Sequence, residues 1–225
     1  MKKVLAILLT LALVVSLSAC GGKSAPAPAA PADNSGPVKI GVISPNTGEV
    51  AAYGQAITSG IKLAIKEINA AGGILGGRPI EVVAYMDDKA DSTESANAFN
   101  KLVSDGVCAI MGSATSGVTA GLGVLADEQG MLLLSPTATA DTVTEGHPNV
   151  FRTCFRDSYQ GEMVAKFAAE KLGVKKVAVL YASGDAYSAG LYDAFVKACP
   201  QYKLDLVATE SSAATKDTDF NTQLT

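Results

Sequence analysis

The hydrophobic positions of this chain follow two alternating patterns from residue 38 onward. Short runs rich in β-branched residues predict strands, whereas apolar residues three or four positions apart predict amphipathic helices. Residues 38–43 form a run of the first kind, and Ile57, Ile61, Ile65 and Ile68 then repeat at helical spacing. Further strands are predicted at 79–85, 107–111, 131–134, 176–181 and 204–209, a short extended segment at 151–154, and helices at 91–104, 117–129, 159–172 and around 191–198.

The order of these elements predicts an α/β protein. Continuous apolar runs between helices, such as 107–111 and 131–134, are typical of a parallel sheet that is covered on both faces. One strand–helix series occupies 38–154, and a second begins at 155 and continues to 225. We therefore expect two doubly wound lobes, the second of them incomplete, that meet near Phe155. Ligands of such sheets bind beyond the carboxyl ends of the strands.

The first twenty residues predict export from the cytoplasm. Lys2-Lys3 precede an apolar run at 4–15 that is too short to cross a bilayer. The following Leu17-Ser18-Ala19-Cys20 resembles the bacterial lipobox, in which the cysteine thiol receives a diacylglyceryl group. Residues 1–19 are thus predicted to be a lipoprotein signal peptide, and Cys20 is predicted to anchor an extracytoplasmic protein to the cell membrane. An ordinary cleaved signal with an incidental cysteine is the alternative.

Residues 20–37 predict a flexible tether behind the lipidated cysteine. They are mostly Gly, Ser, Ala, Pro, Asn and Asp, which cannot bury enough apolar surface to fold. Fully stretched, such a segment reaches roughly 50 Å. It would hold a folded body away from the membrane surface.

Charge and composition exclude several classes of partner. The formal net charge is −4, and it becomes −6 without residues 1–19, which contain two lysines and no acidic residue. Nucleic acid is therefore not an expected partner. A metal or other cofactor is not expected either, because His147 is the only histidine and no Cys-x-x-Cys occurs. Cys108, Cys154 and Cys199 are expected to be reduced and buried, with a Cys154–Cys199 bridge as the alternative.

Two small, hydroxyl-rich loops carry the candidate binding chemistry. One spans 112–117 and the other spans 135–139, and each follows a predicted strand. Ser116 precedes a predicted helix, whose free N–H groups favour an anion such as a carboxylate. Thr139 and the carbonyl of Thr137 would suit an ammonium group, so the two loops together would fit a zwitterionic amino acid. The alternative is that Ser116 is only an N-cap and that the second loop is only a turn.

A series of short motifs recurs in a characteristic order along residues 38–225. They are Ile40-Gly41, Thr47-Gly48, Tyr53-Gly54, the segment from Ile68 to Ile74, Asp87-Asp88, Gly112-Ser113, Ser135-Pro136, Phe151-Arg152-Thr153, Gln160-Gly161 and Asp185-Ala186-Tyr187. Through these motifs the chain resembles the branched-chain amino-acid (Leu/Ile/Val-type) substrate-binding proteins of ABC importers, which have the type I periplasmic-binding-protein fold with two lobes and a hinge.

This resemblance implies roles for individual residues. Ser116 would hold the ligand carboxylate, and the segment of Thr137, Ala138 and Thr139 would serve both the ammonium and the carboxylate. Tyr53 and Tyr187 would line the cleft from opposite lobes, the alternative for each being an ordinary exposed loop aromatic. The resemblance also implies a monomer that closes on an amino acid and delivers it to ABC permease subunits in the membrane.

The chain departs from the family pattern in two places. Ala90 and Thr115 stand where a first-lobe disulfide is often found, so that bridge is not expected. The last residue is Thr225, shortly after a helix is predicted to start beyond Asp217. The resemblance implies that the rest of the second lobe, with an acidic residue for the ligand ammonium, would follow Thr225.

Catalysis is not expected from this sequence. The 112–117 loop has the glycine spacing of a phosphate loop and Thr119 fits the motif, but Val118 stands where the motif requires the Lys that would neutralise a terminal phosphate. Asp87-Asp88 is interpreted as a solvated strand end rather than an acid–base pair. The competing function is a ligand sensor of the same fold, which would present an amino acid, amide or urea to a signalling partner.

Overall fold

The computed structural model describes residues 36–224. The predicted signal peptide, the lipidated Cys20 and most of the tether lie outside these residues. The strands are β1 (Val38–Ser44), β2 (Ile80–Asp87), β3 (Ala109–Met111), β4 (Leu132–Ser135), β5 (Val150–Arg152), β6 (Lys176–Ala182) and β7 (Asp205–Ser212). The helices are α1 (Ala51–Ala70), α2 (Ser92–Ser104), α3 (Ser116–Gln129), α4 (Asp157–Glu170) and α5 (Ala186–Ala198), with a 3₁₀ turn at Asp141–Val143.

The first sheet contains five parallel strands in the order β2-β1-β3-β4-β5. Its core is formed by fully buried side chains that include Ile43, Phe99, Ile110 and Leu133. Gly41 lets helix α2 approach the sheet, because a Cβ on this residue would lie 2.5 Å from a methyl carbon of Leu102. These helix-covered parallel strands confirm the predicted α/β class.

Helix boundaries follow from local capping. Asp91 caps α2, since its side chain accepts hydrogen bonds from the N–H groups of Thr93 at 2.8 Å and Glu94 at 2.9 Å. The helix predicted at 91–104 is thus confirmed, with Asp91 as its N-cap. Helix α3 ends at Gly130, whose φ of +63° is the left-handed conformation that glycine adopts at helix ends.

The second sheet contains the two parallel strands β6 and β7. Helices α4 and α5 pack closely, since a Cβ on Gly161 would lie 2.6 Å from the Cβ of Ala194. Phe195, Cys199 and Leu204 are buried in the small core of this part of the chain. An apolar groove of about 340 Å³ lies between the two helices and β6, and Tyr181 and Tyr192 stack within it.

Two expectations about the chain are wrong in the described residues. No helix starts after Asp217. Instead, a single turn closes where the N–H of Leu224 donates to the Phe220 carbonyl at 3.1 Å. The second wrong expectation concerns burial of the cysteines. All three described cysteines are free, as expected, and the alternative Cys154–Cys199 bridge is not formed. However, only Cys199 is buried, whereas Cys154 is half-buried and Cys108 is exposed just before β3, where its thiol donates to the Lys39 carbonyl.

None of the described helices combines the length and the apolar character that a membrane crossing requires.

Candidate ligand-binding site

The carboxyl ends of β1, β3 and β4 bring three loops to one edge of the first sheet. The loop after β4 is fixed to the loop after β3 by two side chains: the Ser135 hydroxyl donates to the Ser113 carbonyl, and the Thr137 hydroxyl donates to the Ala114 carbonyl, each at 2.7 Å. These bonds bring the two hydroxyl-rich loops together. The sequence predicted each loop but gave no distance between them.

Ser116 is the first residue of α3 and is 4 % exposed. Its Oγ accepts a hydrogen bond from the N–H of Ala140 at 3.2 Å. The N-cap position belongs to Thr115, which has extended backbone angles. The interpretation of Ser116 as only an N-cap is therefore wrong. A serine hydroxyl that accepts one bond still has a proton to donate, and it lies at the positive end of a helix.

The segment of Thr137, Ala138 and Thr139 is held in place by its backbone. One terminal nitrogen of Arg152 donates to the carbonyls of Ala138 at 3.0 Å and Thr139 at 2.8 Å. The other terminal nitrogen donates to the Asp141 carbonyl and to the Thr144 hydroxyl. The carbonyl of Thr137 takes part in none of these bonds. Ala138 is fully buried and Thr139 is nearly so.

Arg152 is a residue whose role the sequence did not reveal. It belongs to the Phe151-Arg152-Thr153 motif, but a lone arginine at a strand end has many possible partners. The structure shows that Arg152 clamps the loop after β4 by donating to backbone carbonyls. Every residue has a backbone carbonyl, so the sequence does not indicate which of them the arginine binds.

Asp87 and Asp88 do not form a solvated strand end. Asp87 accepts hydrogen bonds from the N–H groups of Asn46 at 2.9 Å and Thr47 at 3.3 Å, which ties the loop after β1 to the end of β2. Asp88 is fully buried and accepts a hydrogen bond from the Ser113 hydroxyl. Burial raises the pKa of Asp88, and the Ser113 bond opposes that change. Both carboxylates position loops, and the earlier interpretation of them is wrong.

Tyr187 lies in the first turn of α5, near the first residues of α3. Its hydroxyl accepts a hydrogen bond from the Gln160 side chain at 3.2 Å. A Cβ on Gly117 would lie 3.7 Å from the Cβ of Ala186, so the N-terminal ends of α3 and α5 are adjacent. This brings the helix turns that carry Ser116 and Tyr187 together across the two parts of the chain.

Tyr53 lies in the first turn of α1 and is 62 % exposed. Gly54 packs directly on the loop after β1, because a Cβ there would lie 2.0 Å from the Pro45 carbonyl oxygen. The hydrogen bonds that join the other loops do not include Tyr53. Its part in a binding site stays a prediction.

His, Cys, Asp and Glu side chains are dispersed over residues 36–224. No three His, Cys, Asp or Glu side chains of this range are grouped so that they could hold an ion. His147 instead pairs with Asp127 at 2.7 Å, on the surface beside α3.

Residues 37–225 match the family described as periplasmic binding protein. The chain belongs to this family. The match includes all the strands and helices described above, and the family is one of binding proteins, in agreement with the sequence argument against catalysis.

Named relatives bind amino acids. The chain is 42 % identical over 188 residues to the Leu/Ile/Val-binding protein BraC3 of Rhizobium johnstonii, which covers 83 % of this chain and 47 % of the relative. It is 35 % identical over 185 residues to the leucine-, isoleucine-, valine-, threonine- and alanine-binding protein of Pseudomonas aeruginosa, covering 82 % of this chain and 48 % of that protein. The chain therefore spans about half the length of the curated relatives it matches.

Solved structures share the fold. The substrate binding protein LivJ of the branched-chain amino acid transporter from Streptococcus pneumoniae, in complex with isoleucine, has a TM-score of 0.75 and 39 % identity, covering 84 % of this chain and 53 % of that one. A solute binding protein from Rhodopseudomonas palustris, in complex with benzoate, has a TM-score of 0.72 and 31 % identity, covering 84 % and 51 %.

Proposed function

We propose that this chain is the ligand-binding part of an extracytoplasmic ABC importer component that captures an amino acid, with a branched or other aliphatic side chain, between two lobes. Residues 38–154 would form the first lobe and residues 155–225 part of the second. Relatives named for binding leucine, isoleucine and valine support the ligand class. Closure of the lobes on the ligand would produce the form that permease subunits recognise.

The ligand carboxylate would bind at Ser116. The hydroxyl and the free N–H groups at the start of α3 are donors at the positive end of a helix, which is the chemistry that a carboxylate requires. The ammonium group would bind at the Thr139 hydroxyl and the Thr137 carbonyl, with Ala138 as the buried link between them. Tyr53 and Tyr187 would cover the ligand from the two lobes.

The observation that carries this proposal is the hydrogen bond between the Ser116 Oγ and the N–H of Ala140. It brings a hydroxyl at a helix N-terminus beside the loop that contains Thr139. This supports donors for the carboxylate and acceptors for the ammonium group close together at the carboxyl ends of the strands, where ligands of this fold class bind.

Calorimetry tests the proposal with the full-length protein, including any residues that follow Thr225. We expect binding of at least one of L-leucine, L-isoleucine, L-valine and L-alanine. Ser116→Ala and Thr139→Ala are expected to weaken that binding about ten-fold or more, since each removes a bond to a charged group. Ser104→Ala and Thr93→Ala are matched controls at exposed helix positions and should bind like the wild type. No heat with any amino acid in the panel would disprove the proposal.

Delivery to a membrane permease is the second part of the proposal. The lipid anchor at Cys20 and the tether of residues 20–37 would keep a monomeric binding body near its permease. Reconstitution with the permease and ATPase subunits would test this, and we expect ATP hydrolysis to depend on both the binding protein and the amino acid. ATP hydrolysis that does not depend on the binding protein would instead favour the alternative function, a ligand sensor.

A further inference from the structure

Asp157 is a buried carboxylate that the proposed binding scheme does not use. It is the first residue of α4 and is only 1 % exposed. Neither carboxylate oxygen forms a hydrogen bond of normal geometry with another described residue. A buried carboxylate without a well-formed hydrogen bond costs free energy, and such a group requires an explanation.

The carboxylate faces Thr139. The N–H of Asp157 donates to the Thr139 carbonyl at 2.9 Å, which fixes the two residues against each other. The Thr139 hydroxyl lies near the Asp157 carboxylate. Burial raises the pKa of Asp157, and the hydrogen bond from Thr139 opposes this effect without outweighing it. On the other side, a Cβ on Gly190 of α5 would lie 3.4 Å from Oδ2. The carboxylate is thus enclosed between the Thr139 loop and two helices.

An ionised carboxylate can only accept hydrogen bonds. A hydroxyl that faces it therefore directs its proton toward the carboxylate. The oxygen of that hydroxyl then has only lone pairs left for any other partner. For Thr139, that remaining partner would be a ligand bound beside Ser116.

We propose that Asp157 is a positioning residue that makes the Thr139 hydroxyl a hydrogen-bond acceptor, so that the site selects ligands carrying an ammonium group. This inference rests on the proposed function and deepens it. An acceptor at Thr139 attracts an ammonium group and offers nothing to a carboxylic acid that lacks one. The distinction matters in this fold, because one similar solved structure holds isoleucine and another holds benzoate, which has no ammonium group.

The test compares L-leucine with 4-methylpentanoate, which is leucine without its amino group, in calorimetry on the full-length protein. Asp157→Asn keeps the shape but introduces an amide that donates to the Thr139 oxygen and turns the hydroxyl proton toward the ligand. We define the affinity ratio as the affinity for L-leucine divided by the affinity for 4-methylpentanoate. In Asp157→Asn we expect this ratio to fall about ten-fold or more, mainly because leucine binds more weakly. An equal loss for both ligands, or an unchanged ratio, would overturn the inference.

Variants of Thr139 give a second, independent reading. Thr139→Ser retains the hydroxyl and should preserve the affinity ratio, whereas Thr139→Val removes the hydroxyl and should lower the ratio with Asp157 intact. Combining Thr139→Val with Asp157→Asn should cause no further loss, because both changes act on one hydrogen bond. An unchanged ratio in Thr139→Val would overturn the inference even if Asp157→Asn failed to fold.

The role of Asp157 and the binding of an amino acid can be distinguished by these measurements. If the wild type binds leucine and Asp157→Asn keeps the wild-type ratio, the inference is wrong and the proposed function stands. If the wild type binds no amino acid of the panel, both are wrong.

Discussion

The Oγ of Ser116 accepts a hydrogen bond at 3.2 Å from the N–H of Ala140, and this bond joins the start of α3 to the loop after β4. The two residues are 24 positions apart, and each follows a different strand of the first sheet. The bond holds Ser116, the proposed carboxylate site, against the loop that contains Thr139, the proposed ammonium site. A zwitterionic ligand requires that arrangement.

Removing the Arg152 side chain is expected to destabilise the protein. Arg152→Met should lower the free energy of unfolding by about 3 kcal/mol, because it leaves buried carbonyls of the loop after β4 without donors. Urea denaturation of the full-length protein measures this loss. Arg156→Met is the matched control, since that side chain is exposed and makes only a 3.4 Å ion pair with Asp141. Equal losses in both variants would contradict the role of Arg152 as a clamp.

Two glycine-to-alanine changes in helices should have opposite effects on stability. Gly161→Ala should destabilise by about 1–3 kcal/mol, because the new Cβ would force α4 and α5 apart. Gly121→Ala should stabilise by about 0.5–1 kcal/mol, because no atom lies within 4 Å of the new Cβ and alanine loses less backbone entropy in a helix. Thermal unfolding would show the two shifts. A stabilising effect of Gly161→Ala would disprove the close packing of the helices.

The effect of Asp157→Asn on stability should depend on pH. Burial raises the pKa of Asp157, and Asp141 and Asp185 act in the same direction, whereas Thr139 and Arg152 oppose them. A carboxyl with a raised pKa stabilises the fold below its unfolded pKa of about 4, and this contribution is lost as the pH rises through the folded pKa. Urea denaturation between roughly pH 4 and pH 8 should therefore show the variant gaining stability over the wild type as pH increases.

Asp87 provides the control of opposite sign. Burial raises its pKa, but hydrogen bonds from Thr47, Lys89 and Asn46 together outweigh burial and lower it. A lowered pKa contributes stability above the unfolded pKa that is lost as the pH falls through the folded pKa. Asp87→Asn should thus be less stable than the wild type near neutral pH, with a smaller difference in acid. The same sign for both variants would contradict the assigned environments.

Much of the fold follows from local sequence signals. The periodicity of Ile57 to Ile68 predicts α1, and the helix predicted at 91–104 matches α2 within one residue. These signals succeed because strand and helix patterns are local and strong. The predicted helix after Asp217 is wrong in the described residues, where only a single turn forms between Phe220 and Leu224. One turn fixes several residues for few hydrogen bonds, so it does not become a helix without further turns or packing.

The candidate site was only partly visible in the sequence. Ser116 and Thr139 stand out as hydroxyls after predicted strands. Arg152, Asp88 and Asp157 do not, because their partners are distant in the chain or are backbone atoms. Long-range hydrogen bonds of this kind need the fold before they can be assigned.

The anchor at Cys20 can be tested apart from ligand binding. Expression of the full-length protein with its signal sequence should place the wild type in the membrane fraction. Cys20→Ser should release it, because the acyl chains bound to Cys20 supply the membrane affinity. Cys108→Ser, at an exposed free cysteine, is the control and should remain with the membrane. Membrane association of the Cys20 variant would show that the lipobox assignment is wrong.

A crystal structure of the full-length protein with L-leucine tests the central claim most directly. The account predicts the ligand carboxylate within about 3.2 Å of the Ser116 Oγ and the ammonium nitrogen within about 3.2 Å of the Thr139 Oγ1, which are hydrogen-bond distances. Leucine bound in the reverse orientation, or bound only in the apolar groove between α4, α5 and β6, would contradict it.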